Sequence, residues 1–151
     1  MKIALVGYGK MGRMVEQIAL SQSHSITFRV NSENYAEIHA ISPENTDLVI
    51  EFSHPKSVSG NLKILLSKEI PVVCGTTGWF GEMNELQTHF PAAKVIYGAN
   101  FSLGVAIFMK TARFLAQLMN EHPEYDCAIE ERHHHQKADA GDDDGEGDPV
   151  S

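Results

Sequence analysis

The sequence predicts an α/β fold, an open doubly wound parallel sheet built by alternating strands and helices. Three observations carry this. The chain opens on an apolar run, Ile3-Ala4-Leu5-Val6, that stops at Gly7-Tyr8-Gly9-Lys10-Met11-Gly12. Apolar runs of strand length recur at 48–52, 71–74 and 94–97, continuous in the way of parallel strands covered on both faces. Between them lie stretches with helical spacing of apolar residues.

In order, residues 2–6 form the first strand and 10–21 the first helix, with Met11, Met14, Val15, Ile18 and Ala19 expected on its inward face. A short second strand is expected at 26–30, ending at Asn31, and 33–42 is expected to make an irregular or helical crossing. The run 48–52 leads into Ser53-His54-Pro55, where proline suits a first helical turn. Val58, Leu62, Leu65 and Leu66 give that helix an inward face through about Lys68. The strand at 71–74 stops at Gly75-Thr76-Thr77-Gly78; a helix at 80–89 and a strand at 94–97 complete the alternation. Val105, Phe108, Met109, Ala112, Leu115, Ala116 and Met119 recur at helical spacing across 105–120, which predicts a helix buried against a sheet. Tyr125-Asp126-Cys127-Ala128-Ile129-Glu130 then reads as a strand of new structure.

Size and charge narrow the function. At 151 residues with 42% hydrophobic content, the chain has room for one full domain and part of another. Its formal charge is -8, from 20 acids against 12 Lys and Arg. The acids Asp139, Asp142, Asp143, Asp144, Glu146 and Asp148 fall at the end with no Lys or Arg among them, so the body is nearly balanced. There is no basic stripe of the kind that nucleic acid requires, no apolar run long enough to cross a bilayer and no visible signal peptide. Cys74 and Cys127 read as two reduced core thiols, and the cytoplasm is the expected compartment.

The spacing Gly7-x-Gly9-x-x-Gly12 suits a nucleotide pyrophosphate. It supplies a sharp turn, a backbone approach unobstructed by Cβ and close packing of helix on strand, with the phosphates at a positive helix end. The same spacing also makes an ordinary turn. Dinucleotide folds place an acid roughly 20 residues past the glycines to take the adenosine ribose hydroxyls. Here that residue is Asn31, which brings no charge against a 2′-phosphate, so NADH and NADPH are both admissible. Arg29 reads either as a phosphate partner or as a solvated surface arginine. Gly75-Thr76-Thr77-Gly78 and Gly98-Ala99-Asn100-Phe101-Ser102 follow strand carboxyl ends, as the glycine loop does, and ligands of doubly wound folds bind at that edge.

The polar segment Glu131-Arg132-His133-His134-His135-Gln136-Lys137-Ala138-Asp139-Ala140 carries the other chemistry. Adjacent histidines on a strand alternate in direction, and no Cys or carboxylate stands at a zinc-like spacing, so no metal is expected. Asp142-x-Asp144-x-Glu146-Gly147 resembles a calcium loop whose twelfth-position carboxylate would fall beyond Ser151. Proton transfer fits better: histidine titrates near neutrality, and Lys137 offers a cation for an anionic substrate.

From Met1 to Ala140 the chain resembles the dihydrodipicolinate (4-hydroxy-tetrahydrodipicolinate) reductase family of bacterial lysine and diaminopimelate biosynthesis. The resemblance rests on Val6-Gly7-Tyr8-Gly9-Lys10-Met11-Gly12, Val73-Cys74-Gly75-Thr76-Thr77-Gly78-Trp79, Ala99-Asn100-Phe101-Ser102-Leu103-Gly104-Val105 and Glu131 through Ala140. It implies a Rossmann-like dinucleotide-binding domain over 1–103 and a partial α+β substrate domain over 104–140, while composition marks 141–151 as an acidic, disordered tail. The resemblance further implies NADH or NADPH as cofactor and a dicarboxylate cyclic imine as substrate, with family members assembling as homotetramers. Gly7, Tyr8, Gly9, Lys10, Met11 and Gly12 would hold the pyrophosphate and Asn31 the adenosine ribose. Gly75, Thr76, Thr77, Ala99, Asn100, Phe101 and Ser102 would line the nicotinamide end. His133 would be the proton donor, His134 a substrate carboxylate contact and Lys137 the second catalytic cation. One departure is large: where the family continues Pro-Ser-Gly-Thr-Ala, whose backbone clasps a substrate carboxylate, this chain reads Gly141-Asp142-Asp143-Asp144. Two readings follow, a reductase or a non-catalytic dinucleotide-binding fragment of one.

Overall fold

A computed structural model describes residues 1–126 and 128–130. Strands β1 (Lys2–Val6), β2 (Ser25–Val30), β3 (Leu48–Glu51), β4 (Val72–Cys74) and β5 (Val95–Tyr97) form one sheet in the order β2-β1-β3-β4-β5. Every neighbouring pair is parallel. The helices are α1 (Lys10–Ser21), α2 (Pro55–Leu66), α3 (Met83–His89) and α4 (Leu103–Met119). This is the expected Rossmann-like alternation. The crossing at 33–42 contains a short 3-10 helix, Tyr35–Ala40. Lys68 Nζ tethers its exit by donating to the carbonyl oxygens of His39 and Ile41, each at 2.7 Å.

The two-residue period of the strands sorts their side chains onto two apolar layers. Ala4, Val6, Val30, Val49, Val72 and Cys74 join Val58, Leu62, Leu65 and Leu86 in the larger core. Ile3 and Leu5 turn to the other face with Ala19, Val15, Ile26 and Ile50. Leu62 and Leu65 are at most 1% exposed, and each contributes about 2 kcal/mol by leaving water.

Three expectations are corrected. On α1 the buried residues are Gly12 and Ala19, while Met11, Met14 and Ile18 are 45%, 45% and 54% exposed. Val15 and Ala19 pack inward as expected, but Gly12, seated against the backbone of Gly7, takes the place on the inward face expected for Met11, and the methionines and Ile18 turn outward. No described residue of α4 is buried, and Phe108, Met109 and Leu115 are all at least half exposed. Helical periodicity specifies a face that needs cover but not what supplies the cover. Among the described residues of 125–130 there is no strand; alternating apolar residues become a strand only when a ladder partner takes their backbone groups.

The chain divides into two compact units at Ala106 and Ile107, a division that falls within α4. The first unit, Met1–Ala106, contains the whole sheet. In the second, the described part includes the remainder of α4, a turn in which Tyr125 N donates to His122 O, and residues 126 and 128–130. Cys127 and residues 131–151, including the acidic tail, lie outside the described residues.

Candidate functional site

Strand order reverses between β1 and β3, because β2 lies on one side of β1 and β3, β4 and β5 on the other. The loops leaving these strands therefore diverge and open a crevice at the carboxyl edge of the sheet. A cleft of about 740 Å³ occupies it, lined by Gly7, Tyr8 and Gly9, by Asn31, Ser32 and Tyr35, and by Phe52, Ser53, His54, Ser57 and Asn61.

The three glycines divide the work of the loop. Gly7 has a φ of +89°, and an added Cβ would lie 2.2 Å from the backbone carbonyl of Phe52. Neither the conformation nor the space admits a side chain. A Cβ on Gly12 would come 2.7 Å from Gly7 O, so this glycine sets the depth of α1 against the loop. A Cβ on Gly9 meets nothing within 4 Å. Folding does not demand glycine there, whereas a phosphate approaching the backbone does.

The start of α1 is prepared for an anion. Its N-cap is Gly9, with no side-chain cap hydrogen bond and no acid in the first turn. The leading N–H groups and the positive end of the helix dipole are thus left for a ligand. By contrast, α2 is closed by its own chain: His54 Nδ1 accepts from Lys56 N at 3.2 Å, and Pro55 occupies the first turn. Lys10 and Arg13 flank a second depression beside Gly9, which adds positive charge at the same helix end.

At the end of β2, Asn31 Oδ1 accepts from Glu33 N at 2.8 Å and Asn34 N at 3.2 Å, while Asn34 Oδ1 accepts from Asn31 N at 2.7 Å. The Asn31 carbonyl oxygen is therefore committed to shaping its loop. Arg29 is paired within the fold rather than merely solvated. Its Nε donates to Glu16 Oε1 at 2.8 Å, its Nη2 bonds the same oxygen, and the Tyr8 hydroxyl donates to Glu16 Oε2. The Arg29 hydrogen bond, then the Tyr8 one, hold the Glu16 carboxyl below the usual carboxylate range. Glu16 in turn pushes the Tyr8 phenol and the Arg29 guanidinium up. This trio anchors the glycine loop to α1 and β2.

Gly75, Thr76, Thr77, Ala99, Asn100, Phe101 and Ser102 follow the carboxyl ends of β4 and β5 but do not line this cleft. Thr76 is 7% exposed, and its hydroxyl is turned inward to Glu51 Oε2 at 2.6 Å. Gly75 N donates to Glu51 O at 2.9 Å, and Thr77 is exposed. Ala99, Asn100, Phe101 and Ser102 are exposed and form the entry to α4. Asn100 Oδ1 accepts from Ser102 N at 2.8 Å, and Ser102 Oγ accepts from Val105 N at 3.4 Å. His133, His134 and Lys137 lie outside the described residues.

Sequence reasoning missed Ser53, His54, Ser57 and Asn61 as cleft residues. The signal was present: they follow β3, the strand on the far side of the switch point, and a polar Ser-His-Pro exit from an apolar run marks a loop at the binding edge. Glu51 was missed for a different reason, since an acid at the end of a strand ordinarily faces water.

Residues 1–101 match the family described as dihydrodipicolinate reductase, N-terminus. The chain is similar to the 4-hydroxy-tetrahydrodipicolinate reductase of Christiangramia forsetii, 38% identical over 93% of this chain and 59% of that protein. It is likewise similar to the enzyme of that name from Mycobacterium marinum, 32% identical over 93% of this chain and 57% of that protein. The chain thus spans somewhat under three-fifths of the length of these curated relatives. No described helix is long and apolar enough to cross a membrane. With glycine loop, sheet order and sequence match in agreement, the chain belongs to the dihydrodipicolinate reductase family.

Proposed function

We propose that the first unit binds NADH or NADPH and serves a cytoplasmic reductase that converts a dihydrodipicolinate-type cyclic imine to tetrahydrodipicolinate in lysine and diaminopimelate biosynthesis. The observation that carries this reading is the uncapped start of α1 beneath the open side of Gly9, at the floor of the cleft. A pyrophosphate fits there because the site offers backbone N–H groups and no competing acid. The bound dinucleotide would supply a hydride, and the first unit would bind and orient it.

In this reading Gly7, Tyr8, Gly9, Lys10, Met11 and Gly12 seat the pyrophosphate. Asn31 turns its amide NH2 to a ribose hydroxyl, its oxygen being occupied by Glu33 and Asn34. It carries no charge, which admits both cofactors. Gly75, Thr76, Thr77, Ala99, Asn100, Phe101 and Ser102 border the nicotinamide half. His133 donates the proton that quenches negative charge left on the imine after reduction, and Lys137 stabilises that charge as it develops. His134 contacts a substrate carboxylate.

The test is a chain extended after Ala140 with the corresponding remainder of the Christiangramia relative, assayed for substrate-dependent oxidation of reduced nicotinamide. His133→Gln should lower the rate at least a hundredfold, within the usual range for general acid catalysis, while changing cofactor affinity little. An unchanged rate removes His133 from the mechanism. A second reading, dinucleotide binding without turnover, is favoured for the 151-residue chain by Asp142, Asp143 and Asp144, which stand where the family clasps a carboxylate. Its mark is cofactor binding by this chain with no reductase activity until the remainder is supplied.

A further inference from the structure

Glu51 is a fully buried acid at the carboxyl end of β3, and the reading above gives it no role. Transferring a carboxylate into an apolar core costs heavily unless donors surround it. Here five do. Oε2 accepts from Thr76 Oγ1 at 2.6 Å and from Cys74 Sγ at 3.5 Å. Oε1 accepts from Asn61 Nδ2 at 3.1 Å, from Ser53 N at 3.3 Å and from the Ser53 hydroxyl.

These donors come from three separate segments: the loop leaving β3, the middle of α2, and β4 with the loop that follows it. Ser53 and Asn61 also line the cleft. The Thr76 carbonyl continues the chain of bonds by accepting from Trp79 Nε1 at 2.7 Å. One buried carboxylate therefore fixes the cleft wall to the Thr76 loop. The adenosine half of a dinucleotide lies over the end of β2, so the nicotinamide half must extend over β3 and β4, where these segments meet.

We propose that Glu51 is a positioning residue that holds the Thr76 loop in place as the seat for the nicotinamide half of the cofactor. This rests on the dinucleotide reading above. Because the Thr76 hydroxyl is spent on Glu51, Thr76→Val cuts the tie while keeping the shape of the side chain, and Thr76→Ser retains it. Glu51→Gln replaces one acceptor oxygen by a donor facing other donors.

The test titrates the 151-residue chain and these variants, by calorimetry, with the nicotinamide dinucleotide the parent binds more tightly and with ADP-ribose, which lacks the nicotinamide. Thr76→Val and Glu51→Gln should weaken dinucleotide binding about tenfold, the worth of one hydrogen bond to a charged group. ADP-ribose affinity should stay within about twofold of the parent, and Thr76→Ser should bind both ligands like the parent. Equal losses for both ligands mean a merely structural role and overturn the proposal. So does parent-like dinucleotide binding by folded Thr76→Val, or a Thr76→Ser variant that loses as much as Thr76→Val. Should Glu51→Gln fail to fold, the Thr76 pair decides alone. A parent that binds neither ligand refutes the dinucleotide reading itself, and the role of Glu51 with it.

Discussion

Gly9→Ala separates the demands of folding from those of binding. In the folded chain the new methyl meets no atom within 4 Å, so it creates no overpacking. The backbone at Gly9, with φ −95° and ψ −148°, lies near the edge of the extended region. Alanine is a poorer N-cap than glycine by about 0.5–1 kcal/mol, and the reduced freedom of the unfolded chain returns about 0.4–1 kcal/mol. These terms nearly cancel, so the melting temperature should stay within about 4 °C of the parent. Binding is another matter. The methyl occupies the space through which a phosphate would reach the first N–H groups of α1, and displacing it from even one such bond costs roughly 1.5–3 kcal/mol, a loss of tenfold or more in affinity. Gly12→Ala is the control with the opposite signature. Its methyl lands 2.7 Å from Gly7 O, an overpacking cost of about 1–3 kcal/mol only partly offset by about 1 kcal/mol of helix propensity. Thermal melts and titration of reduced-nicotinamide fluorescence read both quantities. Gly9→Ala binding with parental affinity, or melting as low as Gly12→Ala, would refute the assignment of the glycines.

Two further outcomes test the surroundings of the loop. Glu16 has its carboxyl held down by Arg29. Its contribution to stability is therefore present above the usual glutamate range and lost as pH falls through the lower folded value. Denaturant melts should show the parent more stable than Glu16→Gln near neutrality and the gap closing below about pH 4; a gap independent of pH contradicts the pairing. The Cys74 thiol is pushed up to about 12, by burial first and by the charge of Glu51 second. Alkylation near pH 8, followed by peptide mapping to separate it from Cys127, should leave Cys74 unmodified until the chain unfolds. Rapid native labelling of Cys74 argues against the buried network.

The parts legible in the sequence were those governed by local rules. β1 and α1 have the expected bounds because an apolar run broken by Gly7 leaves few alternatives, and the parallel order follows from strand and helix alternation. Long-range geometry was not legible. Which stripe of α1 faces inward depends on Gly12 meeting the carbonyl of Gly7, a contact made across the loop. Arg29 reads as a free cation until α1 brings Glu16 beside it. Glu51 sits at the end of an apolar run, where an acid normally signals a solvent boundary; only the convergence of Thr76, Ser53 and Asn61 makes it a core residue. The exposed face of α4 has the same origin as the lack of a strand among the described residues of 125–130. Periodicity records that a partner surface is required and says nothing of where that surface lies.

The most direct measurement is a calorimetric titration of the 151-residue chain with NADH and with NADPH. Saturable binding of at least one of them, at one site per chain and weakened at least tenfold by Gly9→Ala, is the expected result. A correctly folded chain that gives no binding heat with either dinucleotide contradicts the central claim that the glycine loop is a cofactor site.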